Sequence, residues 1–241
     1  RIYRVYLWRK SQIDVNSAPN QMGLVMGQGV NRLDNIGGDS IGMNRRRPLA
    51  LLFTDIASST ALAATMEPEE YADILTAVRT ALQSVMDRHE GQVIRVDGDG
   101  ALCMFGYSGG AEHAGKMAAL AALDFHAEVA AIARGRGLDA LNLHSGIHAG
   151  MVLLRQGDLV RGRYEVIGDA TNIAARLCDA AGADDILISR DALGPDAAHF
   201  ALGLQRSITL HSGARGRDRR IAASSVHGLQ AKLATVNASG A

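Results

Sequence analysis

Apolar positions along this chain fall into blocks whose period changes from one block to the next. Residues 49–56, LALLFTDI, form a nearly continuous apolar run, which predicts a strand too apolar to be exposed. Tyr71, Ile74, Leu75, Val78, Leu82, Val85 and Met86 then recur at helical spacing. Pro68 suits the first turn of that helix and Gly91 stops it. Residues 92–97 and 101–105 read as a hairpin around Gly98, Asp99 and Gly100. Residues 111–133 form an alanine-rich helix, and 141–148, 151–154 and 164–167 are strands. A helix over 170–181 and a strand over 186–189 follow, with short strands near 205–210 and 221–225. Alternation interrupted by a hairpin predicts an α+β fold, its sheet partly antiparallel with helices on one face, over a doubly wound parallel sheet. There is no internal repeat.

Before this pattern begins, residues 1–6, RIYRVY, alternate like an edge strand. Residues 11–44 are rich in Gly, Asn, Ser and Asp without a sustained period, the composition of a linker. Arg45, Arg46 and Arg47 make a small basic knot, read as a solvated face. The chain divides into 1–47, a linker or remnant of an upstream module; 48–226, the folded domain; and 227–241, a tail.

Apolar residues make up 47% of the 241 positions, enough for a sizeable core. Lys+Arg and Asp+Glu both total 25, a balance that argues against a nucleic-acid binder. Cys103 and Cys178 read as small core residues, without zinc-site spacing, which points to a reducing, cytoplasmic setting. No apolar run approaches the ~20 residues that span a bilayer. The chain starts at Arg1 rather than Met and reads as a fragment, so membrane attachment through a longer parent stays compatible with it.

Three places carry chemistry. Asp55 sits where a buried strand gives out, and a carboxylate there is costly unless exposed, paired or metal-bound. The small residues after it, Ala57, Ser58, Ser59 and Thr60, can aim backbone N–H groups at a phosphate as a helix begins. Capping of that helix explains Asp55 equally well. Asp99 lies in a glycine-flanked turn and has an ordinary turn role as its plain alternative. If that hairpin lies beside the first strand, the two carboxylates converge, and a cation between them relieves their repulsion. Asp97 reads as a turn residue. Asn172 and Arg176, four apart, share one face of an otherwise apolar or small-residue helix. Such an arginine can neutralise charge on a transferring phosphoryl group.

Taken in order, FTDI with Thr60, VDGDG with Phe105, SGIHAG (residues 145–150) and IGDATNIAARL resemble the class III nucleotidyl cyclase catalytic domain. The resemblance implies a ferredoxin-like βαββαβ core with additional strands and helices, in a dimeric cyclase homology domain with sites between chains. It implies that Asp55 and Asp99 bind two divalent cations, Mg²⁺ or Mn²⁺, with the Ile56 carbonyl as a further ligand. Asn172 would orient the ribose and Arg176 would stabilise the transition state, both from the partner subunit. Arg95 and Glu165 fall at the base-selecting positions. RIYRVY resembles a strand that closes such domains in bacterial cyclases.

Two departures bear on substrate. The adenylyl pattern places Lys, then Asp or Thr, at the positions of Arg95 and Glu165; the guanylyl pattern places Glu, then Cys. Arg95 donates and Glu165 accepts, a polarity that fits adenine, unless the two pair with each other. His144 stands where the family often has a phosphate-contacting arginine, so triphosphate affinity would follow its protonation; a solvent-facing histidine is the plain alternative. His211, Arg215 and Arg217 are candidates for a C-terminal phosphate-binding residue. The expected activity is an adenylate cyclase making 3′,5′-cyclic AMP from ATP as a homodimer. The rivals are a guanylate cyclase, a degenerate cyclase domain that binds nucleotide without turnover, and a polymerase-type palm domain.

Overall fold

The computed structural model describes residues 45–108, 110–156, 164–210 and 218–230. The edge strand and linker expected before residue 45, the phosphate-binding candidates His211, Arg215 and Arg217, and the tail from 231 lie outside the described residues. Strand β1, Arg45–Ile56, takes in the arginine knot as well as the apolar run. It is followed by the short helix α1, Ser59–Ala63, and by α2, Pro68–Arg88. The hairpin β2, Gln92–Asp97, and β3, Gly100–Phe105, leads to α3, Ala114–Arg136. Next come β4, Leu143–Gln156; β5, Tyr164–Ile167; and α4, Asp169–Ala180. The chain closes with β6, Ile186–Ser189; α5, Arg190–Leu193; a 3-10 turn, Gly194–His199; β7, Phe200–Leu202; β8, Arg206–Leu210; and β9, Arg219–Leu229.

The strands run β2-β3-β1-β4-β6-β9-β7, with β5 paired to β4 and β8 to β9. The order β2-β3-β1-β4, with α2 and α3 as the two crossovers, is the ferredoxin-like βαββαβ unit; the remaining strands and helices are additions to it. β4 pairs β1 antiparallel and β6 parallel, so the sheet is mixed.

The helices do not lie on one face as expected. Ala50, Leu52 and Ile56 of β1 pack into a core with Ile74, Val78 and Val85 of α2 and Ala118, Phe125 and Val129 of α3. Leu49 and Leu51 join a second cluster with Ala170 and Ala174 of α4. Successive side chains of a strand point to opposite sides, so α4 covers the sheet face opposite α2 and α3. The continuous apolar run of β1 is what a strand covered on both sides requires.

Gly146 lets α4 seat closely. A Cβ built there would lie 2.2 Å from Ala174 O and 2.2 Å from Cys178 N. Residues 141–148 and 151–154, expected as two strands, form one, because the ladder to β1 runs unbroken through Leu49↔Gly150 and Ala50↔Ala149. Among the described residues no helix is long and apolar enough to cross a membrane.

Candidate active site

Asp55 sits on the penultimate residue of β1, on the face covered by α4. Its own carboxylate accepts from the Ile56 N–H at 3.0 Å. β3 lies beside β1, in register through Thr54↔Ala101. One step beyond that rung, a Cβ built on Gly100 would lie 3.5 Å from Asp55 Oδ1. The hairpin therefore brings the residue after Asp99 against Asp55. Gly98, with φ 62, occupies the first position of the two-residue turn, a backbone conformation glycine adopts at little cost. Asp99 Oδ2 is shielded from solvent and has no hydrogen-bond partner among the described residues. A carboxylate oxygen without water or donor is costly, and a bound cation would satisfy it.

The segment after Asp55 is partly committed to the fold. The Ala57 N–H donates to the Asn142 carbonyl at 2.8 Å, so it is not available to a phosphate. Ser58 caps α1 in the left-handed region, φ 56, and Ser59 is buried. Ser58 and Thr60 are exposed. His144 faces Asp55 directly across the β1–β4 ladder, which puts its half-buried side chain on the same face of the sheet.

On α4 the buried positions are Ala170, Ile173, Ala174, Leu177 and Cys178. Asn172 is exposed and Arg176 half-buried, on the side turned away from those positions. Neither makes a hydrogen bond or ion pair among the described residues. The helix start is held by Arg219, which donates to Asp169 at 2.9 Å, and by Thr171, which donates to the Gly168 carbonyl at 2.7 Å. The Cys178 thiol donates to the His144 carbonyl at 3.2 Å, tying α4 to β4 beside Asp55. Burial, then the nearby charges of Asp55 and Asp179, push its pKa upward. Burial alone pushes the Cys103 thiol up to about 12. Both cysteines are core residues, as their sequence setting suggests.

Arg95 follows a bulge in β2, and Glu165 sits on β5 directly across from Arg155 of β4. Ile94 and Tyr164, their chain neighbours, share one apolar cluster, and the Tyr107 and Tyr164 rings stack obliquely at 5.7 Å. Arg155 Nε donates to Glu165 Oε2. That ion pair was not foreseen; its signal was available only once β4 and β5 were known to be in register.

Four other residues near Asp55 and Asp99 were given no role of their own by the sequence, although Thr54 and Ser145 lie inside the quoted motifs. Arg79 of α2 reaches the Gly98 carbonyl. Ser145 bonds both Thr54 and His126 on the α2/α3 side of the sheet. A polar residue beside Asp55 in an apolar strand, and a histidine on an alanine-rich helix, were the available signals.

The sequence matches the adenylate and guanylate cyclase catalytic domain over residues 41–212. The chain belongs to that family. An uncharacterised protein of Mycobacterium tuberculosis strain H37Rv is 30% identical over 176 residues, covering 73% of this chain and 32% of the relative. The chain spans 32% of that relative's length and 14% of that of the atrial natriuretic peptide receptor 2 of Homo sapiens, which is 28% identical over 142 residues. The fold is similar to that of the guanylyl cyclase Cya2, with a TM-score of 0.71, 22% identity and coverage of 80% of this chain and 98% of that one. It is similar also to the adenylyl cyclase CyaB from P. aeruginosa, with a TM-score of 0.65, 22% identity and coverage of 76% and 95%.

Proposed function

We propose that this domain is an adenylate cyclase that converts ATP to 3′,5′-cyclic AMP and pyrophosphate as a homodimer. The observation that carries the reading is the solvent-shielded, unpartnered Asp99 Oδ2 on a hairpin seated against Asp55. Asp55, Asp99 and the Ile56 carbonyl would hold two divalent cations, Mg²⁺ or Mn²⁺. When bound, these supply Lewis-acid activation of the ribose 3′-hydroxyl and charge neutralisation on the phosphates.

The remaining work falls to the chain's own groups. The 3′-oxygen attacks the α-phosphorus, the bond to the β-phosphate oxygen breaks, and the hydroxyl proton passes to solvent. Ser58, Ser59 and Thr60 border the phosphates, and His144, beside Asp55, contributes positive charge when protonated. Asn172 orients the ribose and Arg176 offsets charge developing on the reacting phosphoryl group. Their outward position on α4 supports delivery to the site of a second copy. Arg95 and Glu165 present a donor and an acceptor, the polarity adenine requires.

A second reading has a specific observation in its favour. Arg155 already engages Glu165, which weakens that residue's claim on the base and favours GTP turnover, or nucleotide binding without turnover. Purified chain assayed with Mn²⁺ and either ATP or GTP, over a range of protein concentrations, separates these. Cyclic AMP whose specific rate rises with protein concentration is the expected result. Preferential cyclic GMP makes the domain a guanylate cyclase, and nucleotide binding without product makes it a non-catalytic member.

A further inference from the structure

Three polar side chains are buried directly behind Asp55, on the α2/α3 side of the sheet. Thr54 is 2% exposed, Ser145 0% and His126 8%. Ser145 Oγ hydrogen-bonds Thr54 Oγ1 at 2.9 Å. His126 Nε2 meets Ser145 Oγ at 2.8 Å, and its Nδ1–H donates to Asp184 Oδ1 at 3.3 Å. The surroundings are apolar: Leu52, Ile56, Ala122, Phe125, Val129 and Ile147 belong to the same core.

Hydroxyls are a poor choice for a position whose only task is to fill space. A buried hydroxyl or imidazole is tolerated only when its partners are all present. Ala50 and Leu52, the preceding β1 residues on this face, are apolar. The polar chain occurs at one rung of the ladder, Thr54↔Ser145, and the next rung is Asp55↔His144.

We propose that Thr54, Ser145 and His126 are positioning residues for the metal-binding end of β1; the proposal rests on the cyclase reading above. β1 ends at Ile56, where a ladder held by backbone bonds alone would fray. A second tie between the strands, made by side chains, fixes the torsions of Thr54, Asp55 and Ile56. Those torsions aim the Asp55 carboxylate and the Ile56 carbonyl to one side while the tie stays on the other. His126 anchors the tie to α3, and Asp184 holds the imidazole from the protein surface. Divalent-cation sites tolerate errors of only a few tenths of an ångström, so loosening this rung degrades metal binding before it degrades the fold.

The test uses the full chain with Thr54→Val, which keeps the shape and removes the hydroxyl, and Thr54→Ser, which restores it. Mn²⁺ binding is read by electron paramagnetic resonance with a non-cyclisable ATP analogue present, and kcat and KM for ATP are measured separately. Thr54→Val is expected to weaken Mn²⁺ binding about tenfold and to lower kcat with KM little changed. Thr54→Ser is expected to recover both. Ser145→Ala, on the other strand, gives the same reading if Thr54→Val melts below the assay temperature. Wild-type Mn²⁺ affinity in both Thr54→Val and Ser145→Ala overturns the proposal, as does a Thr54→Ser variant as weak as Thr54→Val. If the wild-type chain binds Mn²⁺ but makes no cyclic nucleotide, the cyclase reading fails and the Mn²⁺ affinities still decide the positioning role. A wild-type chain that binds no Mn²⁺ overturns both.

Discussion

Arg79, on α2, donates a 2.7 Å hydrogen bond to the carbonyl oxygen of Gly98, at the tip of the β2–β3 hairpin. That contact braces the turn carrying Asp99 from the helix behind it. It is exposed, so its net worth is about 0.5–1.5 kcal/mol. Arg79→Met is expected to lower metal-dependent turnover by roughly 3- to 10-fold and to shift the melting temperature little. Steady-state rates against Mn²⁺ concentration, alongside a thermal melt, check this.

Asp55→Asn and Asp99→Asn are expected to abolish turnover. Arg176→Ala is expected to bind ATP normally and lose about 10²–10³ in kcat, the usual cost of one electrostatic contributor. Nucleotide binding by calorimetry with rates on the same preparations checks both. An Arg176→Ala enzyme with wild-type kcat removes that residue from the chemistry.

In the adenylate cyclase proposed above, Arg155 competes with the base for the Glu165 carboxylate. Glu165 is 21% exposed and Arg155 41%, so the pair is worth less than about 1 kcal/mol. Arg155→Met removes one partner of the Glu165 carboxylate and is expected to favour its contact with the adenine amino group. The ratio of kcat/KM for ATP over GTP should rise by a factor of up to about 5.

Gly146 sits under α4 with no room for a side chain. Gly146→Ala has to push the helix off the sheet, because the obstructing atoms are backbone. A loss of about 1–3 kcal/mol or more is expected, each kcal/mol lowering the melting temperature by about 2–4 °C. Calorimetric melting of the variant measures this directly.

Acid should weaken the fold. Burial lowers the pKa of His126, partly offset by Asp184, and burial likewise lowers that of His148. Each imidazole takes up its proton more readily unfolded than folded. Between the ordinary histidine value of about 6.5 and the lower folded value, the unfolded chain binds more protons, so stability falls as the pH is lowered through that window. Above it these two groups contribute no slope. Urea midpoints measured from pH 5 to pH 8 should decline on the acid side, and a rise there would contradict the assignment.

Much of the architecture was legible because β1, α2 and the hairpin each carry a clean period with clear stop signals at Gly91 and Gly98. The second covered face of the sheet was not. Leu49 to Leu52 announces a strand buried on both sides, yet nothing local says that the covering on one side is a helix more than a hundred residues later. The separate strands expected over 141–148 and 151–154 join because Ala149 and Gly150 stay in the ladder to β1, and a Cβ built on Gly150 would lie 3.0 Å from Ala170 Cβ of α4, a contact visible only once the helix is in place. Among the candidate site residues, Asp55, Asn172 and Arg176 stood out as polar residues in apolar settings and Asp99 as an acid in a glycine-flanked turn. Arg79, Arg155 and His126 act through partners 19, 10 and 19 positions away along the chain, separations that no periodicity reports.

The consecutive rungs Thr54↔Ser145 and Asp55↔His144 sort two incompatible environments with a single step of backbone. Were β1 to slide one residue along β4, the carboxylate would be driven into the oily interior and the hydroxyl left outside, with every other side chain on the strand misplaced too. Pairing alignment is thus an all-or-nothing condition for this protein: a chain mispaired there would lose its chemistry and its core together.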